Sequence, residues 1–294
     1  MQTDEAFANA VARSAMGEVA WPTVVLGLAV IASYVGLLSA YLLGWVPLWL
    51  ATLLLAGVLY ASYTVLHEAV HGSINGQDRT LKWLNNALGF TAGQMIGTAF
   101  LAHRKEHLAH HANTNHEGRD PDLALAGKGG LPLLLGTLRA LPHQVAYYFR
   151  NNWANASPRD RAIVCLETGV ALAWRLGLVI VLGPVAAFFL LVVANLIGIF
   201  VTLVLFAWIV HRPHTETGRY RDTASFVFPT SIDTVVSWLW LFQNYHAIHH
   251  LFPRIPFYRY RAVFRQIRPV MEHNGAPIYE IGVPRRAALD LRSD

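Results

Sequence analysis

Residues 103–111 read HRKEHLAHH. On a helix, His103, His107, His110 and His111 fall at i, i+4, i+7 and i+8, which is one face. A face of imidazoles is a poor packing surface, but neutral imidazole is a common metal ligand. Two further clusters echo the stretch: HEAVH at 67–71, with His67 and His71, and HAIHH at 246–250, with His246, His249 and His250. Together they hold nine histidines, and His211, just after a long apolar run, is a tenth. A catalytic zinc takes about three protein ligands, so this inventory fits two metal ions.

The surroundings of the clusters are apolar. The 294 residues are 54% hydrophobic and 14% charged, against about 25% charged in a soluble domain. Segments 21–43, 48–66, 163–182 and 185–210 are each about long enough to span a bilayer core, which takes roughly 20 helical residues. The expected fold is all-α: an integral membrane protein, residues 1–294 forming one domain of four transmembrane helices that carry a cytosolic, histidine-rich di-metal cap. Residues 88–102 are too short and glycine-rich for a span and read as an interfacial or re-entrant helix. Residues 131–150, with Pro132 and Pro142, read as lying along the interface. The third span holds Glu167 and Arg175, which are costly in lipid and are expected near its ends or facing the protein interior.

Charge orients this arrangement. The turns at 44–47 and 183–184 hold no Lys or Arg, whereas 103–161 and 211–294 hold nearly all of them. The positive-inside rule then places both termini and all three clusters in the cytoplasm, in an inner or plasma membrane. The net charge of +5 reads as attraction to anionic headgroups, not to nucleic acid. No basic n-region opens the chain, so no cleaved signal peptide is expected.

Several chemistries compete for the histidines. A single cysteine, Cys165, excludes an intrachain disulfide and a thiolate cluster. HEAVH matches the HExxH of zinc metalloproteases, with Glu68 as base, so an intramembrane protease is one alternative. Haem needs only two axial imidazoles, and those would lie within spans. Ligand type does not choose among iron, copper and zinc. The number of ligands, beside an apolar membrane face, favours two metals acting with O₂ on lipid C–H bonds. The isolated His116, His143 and His273 read as surface residues.

Three boxes, HxxxH, HxxHH and HxxHH, around four spans resemble the membrane fatty-acid desaturase and hydroxylase superfamily. Within it, HLAHHANTNHEGRDPD (107–122), HRPHTETGRYRDTASFVFP (211–229) and QNYHAIHHLFPRIPFYRYR (243–261) are most similar to the desaturase-type β-carotene 3-hydroxylases. The resemblance implies His67, His71, His107, His110, His111, His211, His246, His249 and His250 as ligands of two non-haem irons, with O₂ as co-substrate. It assigns no ligand role to His103 or His214. Glu68, His103, Asn244, Asp120 and Asp122 are expected around the ligands, hydrogen-bonding to them or orienting them.

What the resemblance implies is hydroxylation of a carotenoid ring. Fatty-acyl desaturation or another fatty-acid oxidation is the alternative, because one ligand set supports both. The substrate, a lipid or carotenoid, would enter from the bilayer. With no Fe–S cysteine set and no nucleotide-binding glycine motif, a separate ferredoxin-like electron donor is implied. Arg254, Arg259, Arg261, Arg265 and Arg268 are a basic run for that donor or for lipid headgroups.

Overall fold

The computed structural model describes residues 2–125 and 129–282. Helix α1 (Gln2–Ala15) is followed by α2 (Trp21–Leu42) and α3 (Leu48–His71). Next come α4 (Lys82–Ile96), α5 (Phe100–Asn113), α6 (Leu131–Asn151) and α7 (Pro158–Leu182). Helix α8 (Pro184–Trp208) includes two π-helical stretches, Phe188–Val193 and Leu203–Trp208. Helices α2, α3, α7 and α8 are long and apolar enough to cross a membrane. Prolines in the first turn, Pro22, Pro132, Pro158 and Pro184, open four of the helices, where a missing N–H costs nothing.

Helix α3 is the hub, packing against α2, α4 and α8. Leu55, Leu66, Leu190 and Ala194 are fully buried in this core. Gly198 of α8 lies so close to α3 that an added Cβ would sit 3.0 Å from the Ala56 carbonyl oxygen and 3.0 Å from the Leu59 Cβ. Small residues at such crossings let membrane helices approach closely. HEAVH continues the second span as the last turns of α3, which ends at Gly72 in the left-handed conformation (φ 67°).

The segment expected to be interfacial or re-entrant is two helices. Gly97, at φ 96°, ends α4, and α5 restarts at Phe100. The ends of α4 and α5 leave backbone groups without intrahelical partners, and the charged residues of α7 meet both. Arg175 Nη2 donates to the carbonyls of Gln94 (2.7 Å) and Met95 (3.2 Å), and Asn195 Nδ2 of α8 donates to that of Ile96 (2.6 Å). A carboxylate oxygen of Glu167 accepts from the Leu101 N–H at 3.1 Å. Of the two expected positions for Glu167 and Arg175, the interior is the one observed: they fix the break that aims α5.

Beyond the spans, α9 (Thr230–Leu239), α10 (His246–Leu251) and α11 (Tyr260–His273) complete the chain's helices among the described residues. A short parallel pair, β1 (Ser225–Val227) and β2 (Ile278–Glu280), in register Ser225 to Ile278, is added to the helical fold. Tyr260, Val263, Phe264, Ile267 and Met271 share one buried face of α11, at helical spacing. They form a second core with Ala8, Val11 and Ala12 of α1. Burying each large apolar side chain contributes roughly 1.5–3 kcal/mol, which docks α11 and holds α10 beneath it.

Candidate metal centre

Three elements converge at the end of α3. The last turns of α3 bring His67 and His71, α5 brings His107, His110 and His111, and α10 brings His249 and His250. His211 follows α8 directly. These eight fall into two groups, His67, His71, His107, His111 and His249 in one and His110, His211 and His250 in the other, with ligand atoms in each group within 4.8 Å of one another.

The spacing fits metal ions. His111 Nε2 lies 3.0 Å from His107 Nε2 and 2.9 Å from His249 Nε2. Two nitrogens each about 2.1 Å from one first-row ion, at right angles, are about 3.0 Å apart. The environment agrees. Both nitrogens of His67, with Nε2 of His71, Nδ1 of His211 and Nε2 of His250, are buried without a hydrogen-bond partner, which is expensive unless a ligand is held. Burial, reinforced by neighbouring imidazoles, holds His107, His111, His211, His246, His249 and His250 well below the ordinary histidine pKa. They are therefore neutral, the form that binds metal.

A surrounding set of residues orients the rings. Asp120 Oδ1 accepts from His110 Nδ1 at 2.8 Å and from the Asp122 N–H at 2.9 Å, while Oδ2 accepts from the Asn115 N–H at 2.7 Å. Asp122 stands 3.6 Å from the same imidazole nitrogen. Burial pushes the His110 pKa down, but Asp122, Asp120 and Asp222 outweigh it and leave the group raised. Such a bond leaves Nε2 free for a metal. Tyr260 places its hydroxyl 3.0 Å from His249 Nδ1, and Gln243 Oε1 lies 2.7 Å from His246 Nδ1. His250 Nδ1 lies 3.4 Å from Thr114 Oγ1 and 4.0 Å from Asp222. Tyr260, Gln243, Thr114 and Asp222 were not distinguished by sequence reading. A tyrosine eleven residues beyond its histidine has no local spacing signal.

Other expected residues stand further out. Glu68 is buried and held by Thr23 and Tyr260, each at 3.4 Å. It does not line the cavity beside the histidines, so HEAVH lacks the exposed base that a protease needs. Asn244 Nδ2 donates to Phe226 O and Ser237 Oγ, leaving Oδ1 buried without a partner. His246 lies outside both groups. Its ring is 4.8 Å from that of His250 and 5.2 Å from that of His211. His103 and His214 also belong to neither group. His116, His143 and His273 are exposed.

A cavity of about 550 Å³ runs from between the spans to the histidines. Leu59, Leu66, Ile199, Leu203 and Phe206 line its apolar part, and His67, His107, His110 and His246 its polar end. The π-helical turn Leu203–Trp208 turns Leu203, Phe206 and Ala207 toward it, a use typical of such bulges. A second cavity, about 610 Å³, reaches His71 and is lined by Arg79, Lys82, Arg104 and Arg254, with no carboxylate among its lining residues. The basic run beyond α10 is largely neutralised: Arg259 pairs with Glu18, Arg261 and Arg265 with Asp233, and Arg268 with Glu272 and Glu280.

A family profile described as fatty acid desaturase matches residues 43–282. The chain belongs to the fatty acid desaturase family. Among its curated relatives is fatty acid desaturase 3 of Bos taurus, 29% identical over 86% of this chain. The human fatty acid desaturase 3 is 28% identical over 86%. Fatty acid conjugase FAC2 A of Calendula officinalis is 22% identical over 84% of this chain and 76% of its own length. The matched region covers 62% of the bovine and human desaturases. In this desaturase-family chain the matched segment takes in all three histidine boxes.

Proposed function

We propose that the protein is a membrane di-iron oxidoreductase that uses O₂ to oxidise a C–H bond of a long apolar lipid, with carotenoid-ring hydroxylation as the leading substrate reading. The observation that carries the reaction class is the pair of imidazole groups at the end of an apolar cavity that opens between the spans. The five-histidine group would hold one iron, and His110, His211 and His250 the other, with His246 available as a fourth ligand. Asp120, Tyr260 and Gln243 hold the rings in orientation. Iron held there would supply O₂ activation and oxidation at carbon. Leu203, Phe206 and Ile199 exclude water and align the chain. Hydroxylation consumes O₂, two electrons and two protons and gives an alcohol and one water. Desaturation consumes the same reactants and gives an alkene and two waters.

The carotenoid reading rests on the likeness carried by 107–122, 211–229 and 243–261. The relatives' names support fatty-acyl desaturation as the second reading. The electrons come from a separate ferredoxin-like donor, and the carboxylate-free cavity at His71 offers it a better cationic face than the paired arginine run. The positive-inside charge pattern supports a cytoplasmic histidine end in an inner or plasma membrane as part of this reading. Metal analysis of purified protein tests the class: about two irons per chain supports it, and zinc alone refutes it. Expression with a working donor in a β-carotene-accumulating bacterium tests the substrate. Hydroxylated carotenoid is expected, and altered acyl chains without it would establish the second reading.

A further inference from the structure

The histidine that opens the decisive stretch belongs to neither metal group, and its surroundings indicate a different use. His103 is only 6% exposed, as is Glu106 one turn away. Both line the apolar cavity. Thr98 donates its hydroxyl proton to Gln144 Oε1, which leaves the Gln144 amide to face His103 Nδ1 at 2.6 Å. With Nδ1 accepting, the ring proton sits on Nε2. That Nε2 and one oxygen of Glu106 are buried with no partner. One turn apart on α5 and both lining the cavity, the two residues offer it a donor and an acceptor, and a carboxyl group accepts in either protonation state. A hydrocarbon filling the cavity would leave both unpaired, which is costly. The His103 ring lies 5.8 Å from that of His107, a member of the five-histidine group. An oxygen bound here is therefore close to the reacting carbon, not at the far end of a chain.

We propose that His103 and Glu106 form a polar subsite that holds a hydroxyl or keto oxygen carried by the substrate a few bonds from the carbon being oxidised. This rests on the reading of the cavity as the substrate's, and it ranks apolar chains already oxygenated near the reacting end above the plain hydrocarbon, which still binds. A site built to hydrogen-bond an oxygen discriminates against analogues that lack it.

The test is ligand binding to the iron-loaded protein in lipid nanodiscs, followed by tryptophan quenching. The probes are β-carotene, its ring-hydroxy and ring-keto derivatives, and a fatty-acid methyl ester. The ring-oxygenated carotenoids are expected to bind about tenfold more tightly than β-carotene, the worth of one hydrogen bond. His103→Phe keeps the ring stacking and Glu106→Leu the volume, and each removes that preference, while Glu106→Gln restores part of it. Iron content serves as the folding control. A preference confined to the methyl ester, whose oxygen lies at the end of its chain, would overturn the proposal. Equal affinities in the wild type, as expected if water alone fills the subsite, would overturn the proposal. So would a preference that survives in both His103→Phe and Glu106→Leu. Absence of any lipid binding by iron-loaded protein would instead overturn the cavity reading, and the subsite with it.

Discussion

Asp120→Asn separates the two proposed iron sites. The Asp120 side chain is buried and accepts from three donors, His110 Nδ1, Asn115 N and Asp122 N. An asparagine has the same shape but one oxygen, so its NH₂ group must face at least one of those donors. A buried backbone N–H left unpaired costs roughly 1–3 kcal/mol. The loss of the carboxylate behind His110 lowers metal affinity by about 10–100-fold, or about 1.4–2.7 kcal/mol. The effect is local, because His110 belongs to the three-histidine group and none of the five-histidine ligands touches Asp120. The assay is iron bound per chain against free Fe(II), for wild type and variant. One iron is expected to remain at wild-type affinity while the other shifts to 10–100-fold higher free iron. An unchanged isotherm, or equal loss of both irons, would refute the reasoning.

Tyr260→Phe removes the hydroxyl beside His249 Nδ1 and is expected to weaken the five-histidine iron by about tenfold, read in the same titration. Gly198→Val, at a contact where even a Cβ is tight, should cost about 1–3 kcal/mol through overpacking, seen as a lower melting temperature. Leu203→Trp narrows the apolar cavity, so KM for the lipid should rise several-fold while iron content stays the same. Dialysis against a chelator should lower the melting temperature, and added Fe(II) should restore it. In the metal-free protein the buried histidines have lowered pKa values. The unfolded chain therefore binds more protons below about pH 6.5. Stability should hold above that pH and fall as pH drops through it; a melting temperature flat from pH 7.5 to 5.5 would contradict this.

Much of this was legible in the sequence because it is written in local spacing. Three of the four spans show as uncharged runs and the third as an apolar run broken only by Glu167 and Arg175, and HEAVH, HLAHH and HAIHH each show as histidines at helical spacing. What was not legible depends on which elements meet. The division of the histidines into five and three follows from the crossing of α3, α5 and α10. The adjacent His110 and His111 are assigned to different groups, since neighbours in a helix point about 100° apart. The pairing of Arg175 with the end of α4 spans 81 residues of sequence, and that of Glu167 with the start of α5 spans 66. The arginine run was legible as charge, but its partners Glu18 and Asp233 lie far away in the chain.

The twenty-four residues of α3 extend about 36 Å, longer than the roughly 30 Å hydrocarbon core. Two ligands of the five-histidine group, His67 and His71, therefore ride on the overhang of a helix whose tilt responds to its solvent. A thicker or thinner bilayer is expected to change that tilt and with it the position of these two imidazoles relative to those on α5 and α10. For the proposed iron sites, acyl-chain length in the host membrane is therefore expected to bear on how these histidines meet, which makes lipid composition a variable of the proposed centre.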